Sequence, residues 1–277
     1  MTESAQPDRP QSPDVPESHS APHQHRPVAE SFGVDPARYD RSRPTYPGDL
    51  LEHLVAELPG PSVVDVGTGT GILARQLAAL GCRVLGIEPD ARMAAFARTT
   101  DLDVEVSTFE TWDPAGRTFD GAVAGTAWHW VDPVAGARKA AEVLRPEGLL
   151  ALLWNVGEPP AAIRDAFVEA FTAAVPDSPF GAGGWPPAAA YQTALDRWAE
   201  GIRATGAFAE AEQLRTDWNQ PYTRDEWLDQ LPSTGAMTLL DDAQRGAILD
   251  RVGTAIDTLG GHLTVAYACL AVVARRL

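Results

Sequence analysis

Short apolar runs alternate along this chain with stretches where apolar residues recur every three or four positions. Ser62-Val63-Val64-Asp65-Val66 has the length and β-branched content of a buried strand. Three glycines follow at alternate positions: Gly67, Gly69 and Gly71. Ile72, Leu73, Gln76, Leu77 and Leu80 then share one helical face, and Gly81 stops the helix. Strands are expected again at Val84–Glu88, Leu102–Val106, Phe119–Gly125 and Leu149–Asn155, with helices at 90–98 and 133–144 between them. Strand and helix in strict alternation predict an α/β domain with a doubly wound parallel sheet. Leu50 to Leu58 is an amphipathic helix that ends at Pro59-Gly60-Pro61.

After Asn155 the pattern changes. A helix is expected near 161–174, then a loop rich in Gly, Pro and Trp, then a helix over 189–204. Such a loop between helices suits a lid, so residues 157–206 read as an insertion over a substrate pocket. A strand is expected at Ala211–Asn219 and a helix from Tyr222, with Thr223 and Glu226 as its capping box. Pro232 to Met237 breaks that helix and is placed to line the pocket. A helix at 241–259 ends in Gly260-Gly261, and His262 to Val273 alternates as a last strand. Residues 1–30 hold six prolines and no aromatic residue, and read as a disordered tail before a domain at 31–277.

The chemistry concentrates at the first strand–turn–helix. Glycines belong where backbone turns sharply and a ligand approaches closely. The turn lacks Gly-Lys-Ser/Thr, so it is not a P-loop, and Gly-x-Gly-x-Gly departs from the Gly-x-Gly-x-x-Gly of nicotinamide sites. Asp65 sits two residues before the first glycine, where it would repel a pyrophosphate but accept from an ammonium group or a ribose. Glu88 ends the second strand 21 residues after Gly67, placed for both hydroxyls of an adenosine ribose. Two acids without a phosphate-binding feature point to a cationic adenosine ligand, and S-adenosylmethionine fits.

Val63 to Gly71 followed by Val84 to Pro89 resembles the class I S-adenosylmethionine-dependent methyltransferases. Tyr39-Asp40-Arg41-Ser42-Arg43-Pro44-Thr45-Tyr46-Pro47 is similar to the Tyr-x-x-x-Arg-Pro-x-Tyr-Pro motif of a small-molecule branch of that family. The resemblance implies a Rossmann-like sheet of seven strands, the last antiparallel and inserted beside strand five. It implies that Tyr39, Arg43 and Tyr46 cover the methionine end of the cofactor, with Arg43 on its carboxylate. It places Asp65, Gly67, Thr68, Gly69, Gly71, Glu88, Pro89 and Thr126 around the cofactor, with the backbone amide of Phe109 at the adenine. Thr108 or Glu110 would assist there, and Glu110 also reads as a helix-start charge.

Strand four ends in Trp128-His129-Trp130-Val131-Asp132, on the side where open α/β sheets bind ligands. His129 is the candidate general base for an O–H or N–H acceptor. The alternative is that it packs against the cofactor or bonds to backbone. Trp128, Trp130, Asn155, Phe180, Trp185 and Tyr191 are the candidate acceptor contacts.

Composition narrows the partners. The net charge of −16 disfavours nucleic acid and anionic membrane. Cys82 and Cys269 read as buried free thiols, and no spacing suits a metal. No apolar run reaches 18 residues, so a cytoplasmic protein is expected. The reading is methyl transfer from S-adenosylmethionine to a small-molecule acceptor, of which an apolar natural-product scaffold is one form. Its alternatives are a cofactor-binding protein that does not methylate, or that catalyses a cyclisation, and a nicotinamide-dependent oxidoreductase.

Overall fold

The computed structural model describes residues 31–176, 185–235, 237–238 and 240–277. The tail at 1–30 and Phe180 lie outside the described residues. Seven strands form one sheet in the order β3-β2-β1-β4-β5-β7-β6. They are β1 (Ser62–Val66), β2 (Arg83–Glu88), β3 (Asp103–Val106), β4 (Phe119–Gly125), β5 (Leu144–Glu158), β6 (Glu212–Thr223) and β7 (His262–Arg275). β1 to β5 run parallel, and β7 lies antiparallel between β5 and β6. This is the Rossmann-like α/β sheet expected from the sequence.

Helices α1 (Pro36–Ser42), α2 (Gly48–Ala56), α3 (Ile72–Ala79), α4 (Ala91–Arg98) and α5 (Pro133–Val143) accompany the first five strands. The later helices are α6 (Ala161–Ala174), α7 (Gln192–Arg203), α8 (Arg224–Gln230) and α9 (Asp242–Thr258). Among the described residues, no helix is long and apolar enough to cross a membrane.

Period-two alternation sorts the central strands between two cores. Val64, Val66, Leu150 and Leu152 pack with α5 and α7 on one face. Val63, Leu149, Ala151 and Leu153 pack with α2 and α3 on the other. A third cluster joins α6, α8 and α9 to the first half of β7, beside the carboxyl end of β5. The insertion therefore divides. Its first helix, α6, belongs to this third cluster, whereas α7 buries Leu195, Trp198 and Ile202 in the main core. The third cluster also recruits α8 and α9, from beyond residue 206.

Several boundaries move relative to the sequence reading, the ends of β5 at Glu158 and of β7 at Arg275 among them. β6 continues through Pro221 and Tyr222 to Thr223, so its helix starts at Arg224. Pro221 is tolerated because β6 is an edge strand. The stretch Arg145–Gly148, between the expected helix 133–144 and the expected strand Leu149–Asn155, is absorbed into β5 as an irregularity, with Glu147 at φ +64° and its N–H donating to the Arg276 carbonyl.

Candidate active site

A cavity of about 740 Å³ opens at the carboxyl ends of β1, β4 and β5. That is where a doubly wound sheet leaves strand ends and loops uncovered. Its floor at one end is the glycine turn, with Asp65, Gly67, Thr68, Gly69 and Thr70 in its lining. Gly67, Gly69 and Gly71 have φ of +64°, +58° and +91°, a region that favours glycine. A Cβ on Gly67 would lie 2.7 Å from the Ala127 Cβ, so the turn also needs glycine for room.

Asp65 is 1% exposed. Its Oδ2 accepts from the Thr68 hydroxyl at 2.7 Å, and its Oδ1 is shielded from water with no partner. Burial first, and the Glu88 charge to a smaller degree, push the Asp65 carboxyl up to about 7. Glu88 is also pushed up to about 7 by burial, against the backbone N–H groups of Asp90 and Gly69 that bond to it. Those N–H groups, at 2.8 Å each, tie its two oxygens to the turn, and Glu88 lies outside the cavity lining.

The segment 32–47 contributes to the cavity lining. α1 has Asp35 as its N-cap, whose side chain accepts from the Arg38 N–H. Arg43 ends α1, with its guanidinium 4.9 Å from the Tyr39 ring centre and 5.9 Å from that of Phe32. It donates to the Ser233 carbonyl, and its Nε is buried without a partner. Tyr39, Arg43, Pro44 and Tyr46 all line the cavity. The Tyr46 hydroxyl meets the Thr126 hydroxyl at 3.0 Å. Thr126 stands at φ +54°, which is uncommon for a β-branched residue, and it too lines the cavity.

The far end is aromatic. Trp154, Phe167, Phe171, Trp185, Tyr191, Trp227 and Tyr267 contribute to its wall. Trp185 donates from Nε1 to the Gly157 carbonyl at 2.8 Å, and Tyr191 meets Trp154 edge-on at 5.1 Å. Asn155 donates from Nδ2 to the Thr45 carbonyl at 2.9 Å and leaves its Oδ1 buried and unpaired.

The aromatic–His–aromatic stretch is placed differently from the expectation. Trp128 is 1% exposed and packs beneath α5 and against Phe109, outside the cavity lining. Its 3₁₀ turn, Trp128–Trp130, rolls that indole into the core. Trp130 faces Phe32 instead. His129 is sandwiched at 4.5 Å from both Trp130 and Trp154, with its Nδ1 buried and unpaired. Burial, aided by the Arg43 charge, pushes the imidazole down to about 3. That environment keeps the imidazole neutral and packed between two indoles. Phe109 is 3% exposed within the core, and the Glu110 carboxylate accepts from the Asp132 N–H at 3.0 Å. Gly71 and Pro89 flank the site without lining it.

The sequence reading missed Trp154, Phe167, Phe171, Trp227, Gln230 and Tyr267. Trp154 was visible as the neighbour of Asn155 at a strand end. The others lie on elements that come together only through the third core cluster.

Residues 64–152 match the model of a methyltransferase domain family. The matched stretch runs from within β1 to within β5, the part of the fold that carries the glycine turn. The chain is 36% identical over 137 residues to an uncharacterized methyltransferase of Mycobacterium tuberculosis, covering 47% of this chain and 54% of that one. It therefore spans about half the length of that relative. It is 35% identical over 100 residues to the ubiquinone biosynthesis O-methyltransferase of Methylocella silvestris, covering 34% and 39%. A solved structure from Anaeromyxobacter dehalogenans, described as a candidate type II methyltransferase, superposes with a TM-score of 0.61 at 22% identity. It covers 84% of this chain and 97% of its own, a likeness of fold.

Proposed function

We propose that this chain transfers a methyl group from S-adenosylmethionine to a small-molecule acceptor. One observation carries the reading: a buried carboxylate with an unpaired oxygen, Asp65, lines a two-ended cavity whose other end is aromatic. A buried carboxylate without a cation is costly, and a cationic ligand relieves it. The match over residues 64–152 and the methyltransferase relatives support the same reading.

The residues of the glycine-turn end fit a cationic adenosine ligand. Asp65 would meet its positive charge. Glu88 would hold ribose hydroxyls with the acceptor capacity left on its oxygens, and Arg43 would face a carboxylate. When bound, S-adenosylmethionine supplies a methyl group already activated by sulfonium. The protein's part is then alignment and exclusion of water. Tyr46 and Thr126 form a bonded pair in the cavity lining. Tyr39, Arg43 and Pro44, which line the cavity, would cover the cofactor. His129 takes no proton in this reading; it holds Trp154 in place.

The acceptor is read as small and uncharged because the far wall is aromatic. Nucleic acid and membrane are not expected partners of a chain of net charge −16, and a cytoplasmic setting belongs to the same reading.

The test is incubation with methyl-labelled S-adenosylmethionine and a fractionated extract of the source cells. Label entering an organic-soluble small molecule supports the proposal and leads to the acceptor. Label entering RNA or protein overturns the acceptor class, and absence of S-adenosylmethionine binding by calorimetry overturns the whole reading.

A further inference from the structure

The two edges of the sheet are finished differently. β3, at one edge, has only four residues and carries Asp103 and Glu105. A short acidic strand offers little to pair with. β6, at the other edge, runs twelve residues from Glu212 to Thr223 and keeps one register with β7 throughout. It contains no lysine or glycine, and its proline, Pro221, lies near its end. Among the described residues, no strand pairs with its far side.

The Arg224 N–H donates to the Gly261 carbonyl and so continues the β6–β7 ladder. The Thr223 N–H donates instead to the Glu226 carboxylate. Bonding direction alternates along an antiparallel strand, so Gln213, Arg215, Asp217 and Asn219 aim their N–H and C=O groups at the open edge. The Arg215 and Asp217 side chains are 55% and 66% exposed and bond to each other at 2.9 Å. On the opposite sheet face, Leu214 and Trp218 are half-buried against the core shared with α2 and α3. The Gln213 side chain is held by Gln192 and Asp196 of α7, at 2.7 and 3.0 Å.

We infer that β6 pairs with β6 of a second copy of this chain, antiparallel about a two-fold axis at Thr216. Facing residues must both aim outward or both aim inward, so the axis passes through a residue and not between two. At Thr216 it sets Arg215 opposite the partner's Asp217, and Asp217 opposite the partner's Arg215. On the other face Leu214 meets the partner's Trp218. Glu212 to Gln220 all pair before Pro221 is reached. An axis at Arg215 or Asp217 sets like charge on like. An axis nearer Pro221 puts that residue, which has no N–H, into a bonding position, and one nearer Glu212 shortens the paired stretch. Opposite charges facing each other across strands stabilise the pair, and like charges destabilise it. The register that suits the main chain is therefore the one that suits the charges. It joins two seven-stranded sheets into one, and it stands independently of the methyl-transfer reading.

The experiment is sedimentation velocity on the full chain across a concentration series. The wild type is expected to sediment as a dimer at about 100 μM. Arg215→Asp sets acid against acid and Asp217→Arg sets base against base. Each variant alone is expected to dimerise about tenfold more weakly or worse. Mixed in equal amounts, the two variants bring opposite charges face to face again and are expected to restore the dimer. Circular dichroism checks that both fold. Amide hydrogen exchange on the wild type gives a second readout: the N–H groups of Gln213, Arg215, Asp217 and Asn219 should slow as concentration rises. A wild type that stays monomeric at about 100 μM overturns the inference, as does an assembly larger than a dimer. So does a dimer unmoved by either variant, or a mixture no tighter than the variants alone. Slow exchange at those four amides in a monomer would mean that another segment of the chain covers the edge, which also overturns it.

Discussion

Asp65 carries opposite consequences for folding and for binding. Its carboxyl is pushed up to about 7 in the ligand-free fold, from an ordinary value of 3.8. The folded state therefore binds a proton that the unfolded chain releases. Stability from this group is fully present below about pH 4 and is lost as pH rises through about 7. Asp65→Asn removes the buried charge while an amide oxygen still accepts from Thr68. At pH 8 the ligand-free variant is expected to melt a few degrees above the wild type, and at pH 4 to melt level with it. Its affinity for S-adenosylmethionine is expected to fall at least tenfold. In the wild type that affinity should rise by about one order per pH unit up to about 7 and then level off, because the cation requires the charged carboxylate. Calorimetry across pH 5.5 to 8.5 checks the slope; a flat profile would separate Asp65 from the cation. His129 gives a second expectation at this scale. Burial holds it neutral, its value pushed down to about 3, so kcat at saturating S-adenosylmethionine should show no titration from His129 near 6.5. His129→Phe is expected to retain at least a tenth of wild-type kcat. A loss of a thousandfold would restore His129 as the base.

Among the elements, the glycine turn is the most constrained, and two glycines separate strain from contact. Gly67→Ala meets both a φ of +64° and the Ala127 Cβ at 2.7 Å. Gly81 has φ +92° with nothing near its missing Cβ. Each alanine is expected to destabilise by about 1–2 kcal/mol through backbone strain. Only Gly67→Ala should also weaken S-adenosylmethionine binding, by more than tenfold. Equal binding loss in both variants would mean that the turn does not touch the ligand. This element was legible because its signals are local: β-branched run, glycines, one helical face. The sheet strands were legible for the same reason. Trp128 was not, since a 3₁₀ turn of three residues decides whether its ring faces the cavity or the core. Trp227, Gln230 and Tyr267 were not, because α8 and β7 meet the site only through the packing of α6 and α9 around them. No periodicity in α8 alone announces that its inner face borders a cavity.

Across the whole molecule, α1 and its flanking residues join the two ends of the cavity. Toward the glycine turn, Asp40 pairs with Arg75 at 2.6 Å, and the backbone of Tyr46 exchanges two bonds with the Gln76 side chain at 2.9 Å each. Toward the aromatic end, Arg41 grips both oxygens of Asp229 at 2.8 and 2.7 Å, and Arg38 reaches the same carboxylate at 3.1 Å. Arg43 donates to the Ser233 carbonyl one turn beyond. A segment fastened on both sides transmits loosening from one side to the other. Asp229 lies outside the cavity lining, so it touches neither ligand directly. Exposed pairs are weak singly, but here one carboxylate holds two arginines, and planar two-point pairing favours order. Asp229→Ala is therefore expected to speed release of S-adenosylhomocysteine by about two- to fivefold, with little change in its association rate. Arg41→Ala should do the same, and the double variant should add little, since both changes open one fastening. Raising the salt concentration should move wild-type release toward that of the variants. Stopped-flow displacement measures all four rates. Equal release from wild type and Asp229→Ala would leave the segment held from the glycine-turn side alone, and the two ends of the cavity would then bind independently.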